Sequence, residues 1–180
     1  MCIRDRLMLP CSVRNGVDLK YIDALYTSAS AVCVTGLVTV DIGDTFTAFG
    51  QFVVAALIQI GGLGVASMGA GVILAVGKRI NLKGRRVLRD AMKLDSGKGI
   101  VKFIKSVFLT TAAFELVGAA LSFIVFVRDY PPLKALGISL FHSVAAFNNS
   151  GFDILGNFQS LSAYKEDVLS LIHISEPTRP

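Results

Sequence analysis

Ala24-Leu-Tyr-Thr-Ser-Ala-Ser-Ala-Val-Cys-Val-Thr-Gly-Leu37 returns, 115 residues later and without a gap, as Ser139-Leu-Phe-His-Ser-Val-Ala-Ala-Phe-Asn-Asn-Ser-Gly-Phe152. Leu25/Leu140, Ser28/Ser143, Ala31/Ala146 and Gly36/Gly151 are identical, and Tyr26/Phe141, Thr35/Ser150 and Leu37/Phe152 are conservative. Each copy reads as a short apolar helix, residues 21–32 and 133–147, running into a polar, glycine-containing turn: Val34-Thr35-Gly36 in the first and Asn149-Ser150-Gly151 in the second. Four identities in fourteen positions carry little alone. Gly and Asn are also common helix C-caps on surface helices. What gives the repeat meaning is where its copies fall in the chain.

Two long apolar stretches separate them. Residues 52–77 hold Gln59 and Ser67 as their only clearly polar side chains, and residues 106–127 carry Glu115 as their only charge. A spanning helix needs about 20 apolar residues at a rise of roughly 1.5 Å each, so both stretches are long enough to cross a bilayer. The two short helices of the repeat are not, and their length suits a core helix or a re-entrant segment. Residues 78–105 join the spans. They contain ten basic residues against Asp90 and Asp95, a net of +8 in a chain whose total is +5, so the remainder sums to −3. A basic loop between apolar spans marks the cytoplasmic side. Both copies of the repeat then lie at the outer side, and the domain reading is 7–51 as outer segment with the first short helix and turn, 52–77 and 106–127 as membrane helices, 78–105 as cytoplasmic loop, and 128–169 as the second outer segment.

The composition agrees. Hydrophobic residues make up 53% of the 180 residues, charged residues 17%, and the mean hydropathy is +0.62. A soluble domain carries about a quarter of its residues charged. Nucleic-acid binding is not expected, since the basic loop has no aromatic interleaving and no binding motif. Cys2, Cys11 and Cys33 show neither CxxC nor Cys/His spacing, and His142 and His173 are far apart, so no metal cluster or disulfide framework is indicated. The glycines of the first span (Gly61, Gly62, Gly64, Gly69, Gly71, Gly77) lack nucleotide-loop spacing and read as a face for close helix packing. Glu115 is a functional candidate because an intramembrane acid is costly. The reading favours a structural glutamate, hydrogen-bonded to a neighbouring helix or to a cytoplasmic-side base, whose loss lowers expression more than selectivity. Residues 1–6 and 170–180 fit nothing around them and resemble translated sequencing-adapter read-through, which leaves the authentic chain as about residues 7–169.

A short helix followed by a glycine-containing turn, repeated on one side of a membrane, has the parts of an ion filter. A dehydrating cation must be offered oxygens in place of its water, and rings of backbone carbonyls can supply them. Glycine reaches φ > 0 and helps keep successive carbonyls turned to one side. Irregular backbone at membrane depth survives only where it is buried in protein or lines a water-filled cavity, and the helix before it aims a partly negative end at the ion path. The candidate filter residues are Cys33, Val34, Thr35, Gly36 and Leu37 in the first loop and Asn148, Asn149, Ser150, Gly151 and Phe152 in the second. Cys33 reads as a small neutral residue lending its carbonyl. A carrier built on broken helices around a midplane substrate is the rival, but it predicts inverted repeats. A membrane enzyme would need a nucleophile–base pair or metal set, and His142 and Ser143, adjacent on a helix, do not face each other.

Together, residues 23–37, Phe49-Gly50-Gln51, Ile58-Gln-Ile-Gly-Gly-Leu-Gly64 and residues 139–153 resemble the Trk/Ktr/HKT superfamily of potassium transporters, most of all its Ktr-type membrane subunit. The likeness covers nearly all of residues 7–169. It implies an all-α membrane protein of four helix–pore loop–helix repeats around one pseudo-fourfold pore, of which this chain is a fragment. Gly36 and Gly151 match the first two filter glycines. A serine at the first of these positions accompanies sodium selectivity in plant relatives, so Gly36 favours potassium. The resemblance further implies multi-pass insertion in the plasma membrane, a homodimer, a cytosolic nucleotide-binding regulatory ring, and sodium-dependent uptake in Ktr systems. No cofactor is expected on this chain beyond potassium as transported ion. The opening helix of the first repeat, the closing helix of the second and the whole of the third and fourth are missing, along with the gating loop of the third. A sodium transporter of the same superfamily remains the alternative.

Overall fold

The computed structural model describes residues 12–14, 16–17, 19–64, 67–71 and 99–156. The adapter-like ends, residues 72–77 of the first expected span and residues 78–98 of the basic loop lie outside the described residues. Among the described residues five helices have both ends placed, α1 Tyr21–Cys33, α2 Ile42–Thr45, α3 Ala48–Leu63, α4 Ile100–Phe126 and α5 Pro132–Phe147, and residues 67–71 are helical as well. There is no strand among those residues; one isolated antiparallel bridge joins Val13 to Phe46. The architecture is all-α.

Local chemistry sets the boundaries. The short helices occur where the apolar runs predict them, and α5 opens on Pro132 after Pro131, since proline fits the first turn, where an N–H has no intrahelical partner. Asp41 caps α2 by accepting from the Asp44 N–H at 3.0 Å. Two boundaries differ from the sequence expectation. The first span does not run unbroken from residue 52 to 77: α3 starts at Ala48 and ends at Leu63, Gly64 takes φ +80°, and residues 67–71 are helical again. Hydropathy registers glycine as acceptable membrane material, but Gly61, Gly62 and Gly64 each weaken a helix by about 1 kcal/mol relative to Ala. The second span begins at Ile100 instead of Ser106. Lys102 and Lys105 thus ride on the first turns of α4, where lysine is a good helix former and its stem can carry the charge outward.

The chain divides into two units. The first comprises residues 1–62 and 115–180. Its core gathers Ile42, Phe46, Val54, Leu57, Ile58 and Phe141, with Ala24, Ala31, Ala135 and Ala145 also buried in it. Small residues at those positions let helix backbones approach, the packing expected where lipid supplies no hydrophobic drive. The second unit comprises residues 63–114. Within it the ring of Phe108 lies where a side chain on Gly71 would stand, and Ile104 and Ala70 are buried.

Helix α4 contains the apolar stretch Val101–Phe126, and only 22% of its most apolar window is buried. A soluble core helix would hide that surface; here Leu109 is 74% exposed and Phe114 and Leu116 64% each. Such a face suits lipid or a further membrane helix. A charge on it is therefore expected to oppose insertion: Leu109→Lys should cost about 2–3 kcal/mol in a glycosylation-mapping insertion assay, while Leu109→Ala stays within about 1 kcal/mol.

Candidate functional site

The two loops that follow α1 and α5 belong to the first unit, and they share a backbone as well as a sequence pattern. Val34 and Asn149 both enter the left-handed region, at φ 54° and 52°, and Gly36 and Gly151 follow at 69° and 68°. Each pair is separated by the same 115 residues as the sequence repeat. The hydrogen bonds repeat too. Val34 N donates to Ala31 O at 3.3 Å and Thr35 N to Ser30 O at 3.0 Å; Asn149 N donates to Ala146 O at 3.0 Å and Ser150 N to Ala145 O at 2.9 Å. In each loop the hydroxyl points back to the same carbonyl, Thr35 Oγ1 to Ser30 O at 3.5 Å and Ser150 Oγ to Ala145 O at 3.2 Å.

Two successive N–H groups in each loop are committed to carbonyls in the last turns of the preceding helix. The residues between the left-handed positions, Thr35 and Ser150, keep negative φ. A left-handed valine is a true outlier, because branching at Cβ makes φ > 0 cost of order 1–3 kcal/mol. The surrounding contacts must hold it there.

The loops also meet. A Cβ on Gly36 would overlap the carbonyl oxygen of Ser150, with Ser150 C at 3.3 Å and the Gly151 Cα at 3.4 Å. Gly36 is thus required twice, by its φ and by the backbone beside it. Behind the loops stands the end of α3: a side chain on Gly61 would overlap Val32 O, and one on Gly62 would overlap the Asn148 side chain. Of the glycines expected to form a packing face, Gly61, Gly62 and Gly71 meet close neighbours, Gly64 and Gly69 meet nothing within 4 Å, and Gly77 lies outside the described residues; at Gly61 and Gly62 the neighbours are the ends of α1 and α5 where the loops begin.

The individual residues are held differently. In the first loop Ser30 Oγ donates to Leu37 O at 2.7 Å and lies 2.8 Å from Thr35 Oγ1. The second loop has Ala145 at the Ser30 position and is tied instead through Asn148, whose Nδ2 donates to Gln59 Oε1 at 2.7 Å and Val144 O at 2.9 Å. Gln59 Nε2 in turn donates to Glu115 Oε1 at 2.6 Å, and Ser143 Oγ donates to Glu115 O at 2.6 Å. Cys33, the counterpart of Asn148, is exposed, and Asn149 is exposed while Ser150 is buried. Phe152 sits in the core and Leu37 is partly exposed, so the repeat aligns backbones here rather than side-chain roles. Sequence reasoning missed Ser30, Gln59, Gly61 and Gly62 as loop supports. Among the described residues no cluster of His, Cys, Asp or Glu could hold a metal ion.

The described residues are helical, and α4 is long and apolar enough to cross a bilayer, as in an all-α membrane protein. The chain belongs to the TrkH family of cation transport proteins, whose profile matches residues 5–175, within the Trk/Ktr superfamily. It is 43% identical over 148 residues to the Ktr system potassium uptake protein B of Bacillus subtilis (strain 168), covering 82% of this chain and 33% of that protein. It is 35% identical over 169 residues to the potassium/sodium uptake protein NtpJ of Enterococcus hirae, covering 94% and 37%. To the Ktr system potassium uptake protein D of Bacillus subtilis it is 36% identical over 162 residues, covering 89% and 36%. The chain thus spans about a third of the length of the curated relatives it matches.

Proposed function

We propose that the chain supplies two of the four walls of a potassium-selective pore, in which Cys33 to Leu37 and Asn148 to Phe152 lend backbone carbonyls to the dehydrated ion. The observation that carries the reading is the matched conformation of the two loops: the same two left-handed positions, the same committed N–H groups, and a direct meeting at Gly36 and Ser150. Rings of carbonyls replace the hydration shell of a cation in filters of this kind, and the C-terminal ends of α1 and α5 add partial negative charge behind them. The intact protein takes up potassium as a multi-pass plasma-membrane homodimer, with residues 78–105 cytoplasmic. A cytosolic nucleotide-binding ring regulates it, and sodium serves as the coupling ion. These assembly and coupling features rest on the family resemblance.

The direct test is a chimaera in which this chain replaces the matching segment of the Bacillus subtilis Ktr system potassium uptake protein B, expressed in a host without potassium uptake of its own. Growth at limiting potassium and rubidium influx are expected. Cys33 gives the loop a built-in probe. A cationic thiol reagent should cut rubidium influx severalfold, high potassium should slow the modification, and Cys33→Ser should abolish the effect. Full modification of Cys33 with undiminished influx would remove this loop from the ion path. The name of the Enterococcus hirae relative favours sodium as a second permeant ion; sodium influx equal to rubidium influx in the chimaera would make sodium the transported ion as well.

A further inference from the structure

The line of hydrogen bonds from Glu115 through Gln59 to Asn148 has a direction, and we infer that this direction makes Glu115 and Gln59 positioning residues for ion selectivity at the second loop. The inference rests on the pore reading above. In its ionised form the Glu115 carboxylate only accepts hydrogen bonds. Glu115 Oε1, 2.6 Å from Gln59 Nε2, therefore fixes which end of the Gln59 amide faces it: the NH2 group must. The Gln59 carbonyl is thereby turned to the other side, where it accepts from Asn148 Nδ2 at 2.7 Å. Asn148 gives its remaining amide hydrogen to Val144 O at 2.9 Å. Both of its N–H groups are spent.

The consequence falls on the loop. With both hydrogens committed, the Asn148 side chain has only its Oδ1 left to offer, and that end lies over Gly62, where any side chain would collide with it. Asn148 also caps α5, one residue before left-handed Asn149, so a turned Gln59 amide would remove one of the two anchors that hold the start of the loop. The first loop carries Cys33 at the equivalent position and Ser30 as its own anchor. The device belongs to the second loop, which makes the two walls chemically unequal. It also gives the intramembrane acid a use beyond joining helices, since Ser143 and Gln59 together hold residue 115 from α5 and α3.

The test exploits polarity at nearly constant shape. Glu115→Gln keeps the volume but lets residue 115 donate as well as accept, so that the Gln59 amide can turn over and withdraw its acceptor from Asn148, which is then tied by Val144 O alone. Exchanging the pair, Gln59→Glu with Glu115→Gln, restores the direction at Asn148, because a carboxylate at 59 accepts from both sides. In the chimaera, discrimination between rubidium and sodium influx is measured beside membrane accumulation. Glu115→Gln is expected to lower discrimination roughly two- to tenfold, the scale of one net hydrogen bond, and the exchanged pair to bring it back. Unchanged discrimination in a normally accumulating Glu115→Gln protein overturns the inference. So does a loss that the exchanged pair does not repair. Should Glu115→Gln fail to accumulate, the exchanged pair decides: wild-type accumulation and discrimination support the inference, and failure of either overturns it. If the unmutated chimaera itself moves no potassium or rubidium, the pore reading fails instead, and the two failures are told apart.

Discussion

Replacing Gly36 by serine is expected to reduce rubidium influx through the chimaera at least tenfold, or to convert potassium-selective influx into sodium-permeable influx, while the protein still reaches the membrane. Two penalties coincide at this residue. At φ 69° any L side chain pays the left-handed cost, about 1–2 kcal/mol. The new Cβ also meets the Ser150 carbonyl, a backbone group that cannot swing aside as a side chain can. Overpacking of this kind adds about 1–3 kcal/mol, and the energy is absorbed by displacing the second loop. Gly16 separates the two terms. It has φ 90°, but a Cβ there would meet nothing within 4 Å, so Gly16→Ala pays the backbone term alone and is expected to transport normally. Rubidium influx per unit of membrane protein, with sodium influx alongside, checks both. Wild-type selectivity in a well-accumulated Gly36→Ser protein would count against the filter assignment.

The contrast between the two glycines shows how much of the site can be read from sequence. The short helices were legible because each is an apolar run closed by strong punctuation: residues 21–32 emerge as Tyr21–Cys33 and residues 133–147 as Pro132–Phe147. The repeat was legible because its members keep one spacing. The left-handed turn at Val34 was not, since a β-branched residue is among the last expected at positive φ; it stands out only once Asn149, an ordinary left-handed residue, is aligned with it. The break at Gly64 was hidden because hydropathy sums register no dihedral angle. The short helix α2, Ile42–Thr45, was missed because four residues carry no periodicity.

The Glu115–Gln59–Asn148 line was hidden for a different reason. Its links join residues 56 and 89 positions apart, and a polar residue in an apolar stretch does not name its partner. Sequence made Glu115 conspicuous and left Gln59 as background. The geometry makes Gln59 the hinge, since it reads the carboxylate on one side and the loop anchor on the other. The structural reading of Glu115, a glutamate bonded to a neighbouring helix, describes its first contact. The second contact along the line is what connects it to the loop.

Gly61→Ala carries the second large expected effect, and it tests whether α3 supports the loops or merely lies near them. The added methyl would overlap Val32 O and stand 2.9 Å from the Val34 Cγ2, so it presses on the last turn of α1 and on the strained left-handed residue together. In an isolated helix the change should help, since Ala is preferred over Gly by about 1 kcal/mol. Contact with fixed backbone reverses the sign, because overpacking costs about 1–3 kcal/mol. Gly69 lies in the 67–71 helical segment and has open space around it, so Gly69→Ala keeps the helix benefit without the collision. The expected pair of results is a roughly tenfold loss of rubidium influx for Gly61→Ala and none for Gly69→Ala, with membrane accumulation measured for each. Equal, undiminished influx in both would mean that the end of α3 yields to the loops, and that Val34 is held in its left-handed state by the Ala31 and Ser30 carbonyls alone.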